Sequence, residues 1–552
     1  MKPRHRSEGA ACPLSRSTLA CLVATACMAS CAVGPDFKAP AAPDAKAYTP
    51  AALVPTTASA TADVAGEAQT FNPARNLPAD WWSEFHSPEL DALVRQALKA
   101  NPTVEAAQAA LRQAQEYVYA QQGYFYPTVQ AGYSPSRIKV SGNTSGNAPG
   151  LQGNGTNIAS VNAQPVIYNW HSAQLTVGFV PDVFGANARQ VESLRSQAAV
   201  QRCQLEATLI TLASNVVAAA IQEASTRDQI VAVNHVIDVN LHSLEILQHQ
   251  FKVGYAMRID VAAQESALAQ ARQLLPPLQK TLEQTRDLIR VLVGHLPDQD
   301  VPQTFTLASL HLPAELPLSL PSQLVAQRPD IRAAEEQLHS ASAEVGVAMA
   351  ARLPQFSIAG ALGGNASIFS QMFQSAGQFF SVAGMVAQPI FDGGTLLHRK
   401  RAAEEALTQA QAQYRSTVLT AFQNVADTLH AIQSDADALV AAVAATDAAQ
   451  LTLDLTRKQE QLGYVSYLTL LSAEQAYQQA AITLVQARAQ RLGDTAALYL
   501  ALGGGWWNRA SDAGHSEAAA AGDAQGRSPP QSSQLVADGL IGSQLHADAA
   551  QQ

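Results

Sequence analysis

Charged and aromatic side chains are both scarce in this chain of 552 residues, at 14% and 6%. A string of ordinary globular domains is not built from so little of either, although the length would allow several. There is no basic excess: the net charge is −10 and the pI about 5.7, which removes nucleic acid from the partners to expect. Cysteine is confined to the N-terminus (Cys12, Cys21, Cys27, Cys31) apart from Cys203, so a disulfide framework is excluded. Cys203 falls inside a helical pattern and reads as a packed thiol. The sequence also lacks HExxH, paired Cys-x-x-Cys, a P-loop and a nucleophile elbow, leaving no sign of an enzyme, a cofactor or a metal centre.

Glycine and proline are missing from the whole interval between Gly394 and Gly463. What fills it is Ala, Gln, Glu, Leu, Asp, Thr and Arg, largely good helix formers. Val418, Phe422, Val425, Leu429 and Ile432 recur four and three apart, the seam of a coiled coil. At 1.5 Å per residue, such a stretch predicts a rod of roughly 100 Å. No compact domain needs that reach.

The N-terminus reads as an address. Lys2, Arg4, His5, Arg6 and Arg16 precede a short apolar run over residues 17–30, a signal-peptide core too short to span a bilayer. Met28-Ala29-Ser30-Cys31 resembles the bacterial lipobox, which predicts cleavage before a lipid-modified Cys31. Ala24-Thr25-Ala26-Cys27 is a second, weaker match, and an ordinary signal peptide with a chance cysteine is the plainer alternative. Ala32 stands where an Asp would favour retention in the inner membrane, so the expected destination is the outer membrane. Residues 35–79, rich in Ala, Pro and Thr, read as an extended tether ahead of a body opening at Asp80-Trp81-Trp82.

That body is one unit used twice. Asn101-Pro102-Thr103 through Leu111 matches Arg328-Pro329-Asp330 through Leu338, and Pro127 matches Pro354 at the same offset. Pro181-Asp182-Val183-Phe184-Gly185 echoes Pro389-Ile390-Phe391-Asp392-Gly393, and a long helix follows each. Gly254-Tyr255 then matches Gly463-Tyr464, Glu265 matches Glu474, and return helices end near Val293 and Leu502. The expected boundaries are a leader over 1–30, a tether over 31–79, repeats over 80–300 and 321–507 joined by 301–320, and a polar, disordered tail over 508–552.

Each repeat holds two strands of period 2. Val129, Ala131 and Tyr133, then Leu175, Val177 and Phe179, then Phe356, Ile358 and Leu362, then Phe380, Val382 and Val386 alternate with small or polar residues. Lipid on one side and water on the other produce this pattern, as does a half-buried soluble sheet. Polar, glycine-rich loops at 141–157 and 363–378 favour the membrane. Four strands cannot close a barrel, and an open edge in lipid leaves backbone groups unpaired. Closure therefore calls for further copies of the chain.

Together with Cys31-Ala32-Val33-Gly34-Pro35-Asp36-Phe37, Trp81-Trp82, Arg328-Pro329-Asp330, Phe391-Asp392-Gly393-Gly394 and Leu502-Gly503-Gly504-Gly505-Trp506, these features resemble the TolC-like outer-membrane factors. The likeness is to their lipoprotein branch serving RND efflux pumps and covers about Cys31 to Trp507. The resemblance implies an α+β membrane protein, a homotrimer whose twelve-stranded β-barrel in the outer membrane continues as a twelve-helix barrel. It also implies a periplasmic adaptor and an inner-membrane RND pump as partners, with outer-membrane lipid around the barrel. The helical tips would meet the adaptor and act as an iris at Gly254, Tyr255, Asp260, Leu462, Gly463, Tyr464 and Ser466. Relatives usually carry G-x-x-S-x-x-D there; this chain has Met257 in place of Ser in the first copy and Thr469 in place of Asp in the second.

His235, His242 and His249, seven apart, read as a solvated stripe rather than a metal site, and Asp435 and Asp437 as solvated charges. The expected function is the exit channel of a tripartite efflux pump, passing small toxic compounds unaltered. The exit duct of a type I secretion system is the alternative in the same class, and a periplasmic coiled-coil scaffold or adaptor the alternative in another.

Overall fold

A computed structural model describes residues 32–45, 47–60, 63–140 and 166–509. The leader, Cys31, the loop 141–157 and all of the tail beyond residue 509 lie outside the described residues. In chain order the main elements are β1 (Thr70–Asn72), α1 (Pro88–Ala100), α2 (Pro102–Gln122), β2 (Thr128–Val140), β3 (Val166–Phe179), α3 (Ala186–Lys252) and α4 (Arg258–Leu292). There follow β4 (Glu315–Pro317), α5 (Pro321–Gln327), α6 (Pro329–Ala350), β5 (Gln355–Ala366), β6 (Gln378–Ala387), α7 (Thr395–Gln461) and α8 (Tyr467–Ala501).

The duplication is visible as matched lengths. α3 and α7 are 67 residues each, and α4 and α8 are 35 each. Both long helices start after a glycine in the left-handed region, Gly185 (φ 74°) and Gly394 (φ 88°). A glycine side chain cannot cap, so an aspartate just upstream supplies the acceptor. Asp182 accepts from the amides of Asn187 (3.0 Å) and Ala188 (2.7 Å), and Asp392 from those of Gly394 and Leu396 (both 2.8 Å). The shared device is an aspartate ahead of a left-handed glycine, which equates Gly185 with Gly394 rather than with Gly393.

β2, β3, β5 and β6 form one antiparallel sheet in that order. Register decides what alternation alone does not. Val129 lies opposite Val177, Leu175 opposite Leu362, and Leu362 opposite Phe380, so these bulky residues, drawn from all four strands, share one face. That face is open, with Val129, Leu362, Phe380 and Val382 all exposed. The other face carries mostly small or polar residues such as Thr176, Gln130, Ala361 and Ser381, with Phe379 and Met385 of β6 and, at the helix-distal end of β2 and β3, Ile138, Tyr168 and Trp170 as exceptions. β2 and β6 are the two outer strands of the sheet. Residues 363–366, expected in a loop, extend β5, and the connection to β6 is two short 3₁₀ turns at Phe369–Phe373 and Ser375–Gly377.

Nearest the sheet the helices follow the order of the strands, α2, α3, α6, α7; towards the far end the order becomes α4, α3, α8, α7. The layer is thus four elements wide from strand to tip. Stretches of α3 and α7 are apolar enough to cross a bilayer by length and composition. In α3, half of that stretch is buried among neighbouring helices.

The main core sits halfway along the rods. Leu212–Ala224 of α3, Val418–Ile432 of α7 and Leu492–Leu502 of α8 are wrapped there by α1, α5 and the segment 301–318. Trp81 stacks on Tyr499 at 5.3 Å, and both are fully buried. Arg328 of the Arg-Pro-Asp motif pairs with Asp330 (2.7 Å) and donates to the Ala501 carbonyl (2.7 Å), pinning the start of α6 to the end of α8.

The described residues between 32 and 79 do not swing as a free tether; they form a strap laid along the helices. The Val33 amide donates to Phe184 O (3.1 Å), and Asp36 pairs with Arg189 (2.7 Å). Gly34 crosses Gly346 so closely that a Cβ would lie 2.5 Å from its Cα. Phe37 stacks on His339 at 4.3 Å. Further on, fully buried Arg491 donates to Ala65 O (2.9 Å), Thr57 Oγ1 (3.1 Å) and Glu67 O (2.6 Å). Asp63 pairs with Arg488, and β1 pairs in parallel with β4. Composition hides this docking, because partners on the helices satisfy backbone groups that no periodicity announces.

Candidate functional site at the helical tips

Both long helices end in the same turn. The amides of Gly254 and Tyr255 donate to Phe251 O and Gln250 O, and those of Gly463 and Tyr464 to Glu460 O and Gln459 O. The glycines adopt φ 88° and 76°, and a Cβ on either would meet nothing within 4 Å. Their role is therefore the left-handed helix stop itself, not close contact.

The G-x-x-S-x-x-D pattern has a direct structural meaning here: it is a glycine stop followed by a helix-capping pair. Each tip keeps a different half. Asp260 accepts from the Met257 amide (3.1 Å), closing the box from the helix side although Met257 has no hydroxyl to return. Ser466 Oγ accepts from the Thr469 amide (3.4 Å) and meets Thr469 Oγ1 at 3.0 Å, but Thr469 offers no carboxylate. The departures thus weaken caps and leave the turns intact. Tyr255 (87% exposed), Tyr464 (78%) and Leu462 (70%) present bare apolar surface at the tips, with Met257 and Ile259 exposed beside them.

Just above the tips, one buried polar group joins the two hairpins. Tyr467 donates to Gln264 Oε1 (2.7 Å), and Gln264 Nε2 donates to Asn240 O and Oδ1 (both 2.9 Å). Gln264 and Asn240 are fully buried, so the three side chains satisfy one another away from water. Burial pushes the Tyr467 phenol well up and also raises the carboxyl of Glu474, against the pull of Arg457. Sequence reading missed this group. The only signal the sequence holds is a polar residue at buried positions of otherwise apolar seams, where Glu474 stands out merely as the repeat counterpart of Glu265.

All seven tip residues expected from the sequence lie at the sheet-distal ends of the hairpins, while Cys31 lies outside the described residues. His235, His242 and His249 are exposed on α3. Asp437 is exposed, but Asp435 is not a solvated charge. It is half-buried against Asp494, and burial together with that second carboxyl raises its pKa to about 7. Periodicity placed it on a polar face; the packing of α8 against α7 covers that face.

A sheet with one bare apolar face, continued by paired helical rods whose ends carry open turns, has the architecture of an outer-membrane channel protein. The model of the outer membrane efflux protein family matches residues 93–295 and 320–504, and the chain belongs to that family. It is 28% identical over 446 residues to the pyoverdine export outer membrane protein OpmQ of Pseudomonas putida, spanning 80% of this chain and 91% of that one. The antibiotic efflux pump outer membrane protein ArpC of Pseudomonas putida is 28% identical over 508 residues, 91% of this chain and 98% of its own. The solved outer-membrane channel OprN superposes with a TM-score of 0.74 at 27% identity, covering 86% of this chain and 100% of that structure. The protein has the TolC-like fold and is the outer-membrane exit channel of a tripartite efflux pump.

Proposed function

We propose that three copies close into a twelve-stranded barrel continued by a twelve-helix barrel, through which small toxic compounds pass unaltered from periplasm to medium. The observation that carries this reading is the open sheet: β2 and β6 end it on either side, while its apolar face is bare along all four strands. In lipid, each unpaired backbone group on such an edge costs several kcal/mol, which closure by further copies removes.

The tips at Gly254, Tyr255, Asp260, Leu462, Gly463, Tyr464 and Ser466 are the docking and gating end, meeting a periplasmic adaptor that links the duct to an inner-membrane RND pump. Their exposed tyrosines and Leu462 supply the apolar contact such docking needs. A lipid on Cys31 suits the path of the strap. Ala32 lies against Gly185, where β3 hands over to α3, so the described chain starts at the helix-side rim of the sheet, the rim this reading turns towards the periplasm. No energy-coupling motif is present, and passage is passive.

The test is Cys31→Ser, purified and weighed by light scattering. The expected outcome is a detergent-requiring trimer, because the barrel itself sits in lipid. A freely soluble monomer would sink the reading and leave the periplasmic scaffold in its place.

A further inference from the structure

The apolar face of the sheet holds one place that hydrocarbon alone does not suit. Between Glu116 and Asp182 the sequence has no acidic residue, and between Arg352 and Asp392 it has no charged residue at all. All four strands fall in these two stretches, and their only lysine or arginine residues are Arg137 and Lys139. In a chain of net charge −10 this is a local cationic excess that no nearby carboxylate of the same hairpins can neutralise.

Register fixes where these cations point. Arg137 and Lys139 are an even number of residues from Val129, so they share its face, opposite Asn169 and Ile167. Eight residues of tilted strand separate Arg137 from Val129, a height of roughly 20 Å in an apolar band of about 25 Å. Both cations are exposed at the end of that band farthest from the helices. Beneath them lies an aromatic shelf. Tyr133 Oη meets His171 Nδ1 at 2.9 Å, their rings are parallel, and Phe369 stands edge-on to both at 5.8 and 6.0 Å. Cations serving cargo would face the other way, on the face of Ser136 and Ser172.

We propose that this patch docks a phosphorylated glycolipid of the outer leaflet, lipid A. Arg137 and Lys139 take its phosphates, and the Tyr133–His171–Phe369 shelf takes a glucosamine ring or acyl stem. Phosphate answers the unneutralised charge, the depth matches a headgroup, and a sugar ring stacks on aromatic faces as solvent does not. The proposal rests on the apolar face being the lipid-facing wall of the channel.

The test is lipid retention by the full chain in detergent, read by native mass spectrometry against bis-phosphorylated lipid A, dephosphorylated lipid A and inorganic phosphate. Wild type should prefer the bis-phosphorylated lipid by about tenfold or more, one charge-assisted contact being worth about that factor. The double variant R137Q/K139Q should lose the preference and R137K/K139R should keep most of it, both with wild-type conductance as the control for folding. Equal retention of the two lipids, or a preference that survives R137Q/K139Q, overturns the proposal. So does full displacement of lipid A by millimolar inorganic phosphate, which would make this a free-anion site. A protein that needs no detergent would instead fail the channel reading, a distinguishable result.

Discussion

Single residues at the tips act through helix caps. Because Ser466 already offers its hydroxyl to Thr469, replacing Thr469 by Asp completes the box. The T469D variant should stabilise the first turn of α8 by about 0.5–1 kcal/mol. Hydrogen exchange of the amides over 467–470 should slow several-fold; unchanged exchange would show that the departure is not a capping defect. Asp435 makes a second prediction. Its carboxyl titrates near 7 in the folded chain against an ordinary 3.8, so between those values the folded chain holds a proton that the unfolded chain has lost. Stability from this site is therefore lost as pH climbs from about 4 to about 7. Asp435→Asn should raise the melting temperature at pH 8 by a few degrees and leave it unchanged near pH 4. An equal effect at both pH values would refute the account of the carboxyl pair.

At the scale of elements, the strap is the part whose importance its composition least suggests. Arg491 is fully buried in α8 and satisfies two carbonyls and a hydroxyl of residues 57–67, with Arg488 holding Asp63 one turn away. Hydrogen bonds to a charged group are worth about 1.5–3 kcal/mol each, so Arg491→Ala should destabilise the mid-rod core by about 3 kcal/mol or more. It should also expose residues 47–67 to limited proteolysis while α3 and α7 stay intact. A strap as protected in the variant as in wild type would mean that β1 and the Trp81 cluster hold it unaided. The duplicated helices, by comparison, rest on a pattern repeated over 67 residues, and no single position decides them.

For the whole molecule, the two faces of one strand should fail differently. Val382 and Ser381 are neighbours on β6, opposite Gly360 and Ala361, and point to opposite sides of the sheet. An arginine on the lipid side near mid-depth costs about 2–4 kcal/mol per chain. Val382→Arg should thus block assembly into the membrane, seen as loss of the trimer and of efflux-dependent resistance. Ser381→Arg should leave assembly intact and shift conductance towards anions in planar bilayers. If both assembled alike, the apolar face would not be the one in lipid.

The sequence by itself determined the duplication, the rods, the strand periods and the tip turns. Each rests on local rules that any window of the chain obeys: propensity, period and glycine's access to positive φ. It also held the signal for the rim cations, as a stretch without acid. Only tertiary structure decided which strand residues share a face, since a shift of one residue in register would have reversed every one of them. Packing likewise turned an apparent tether into a strap, Asp435 into a buried acid, and Gln264, Asn240 and Tyr467 into one bonded group. Those three residues are over 200 positions apart at their extremes, and nothing local to any of them records the distance that folding removes.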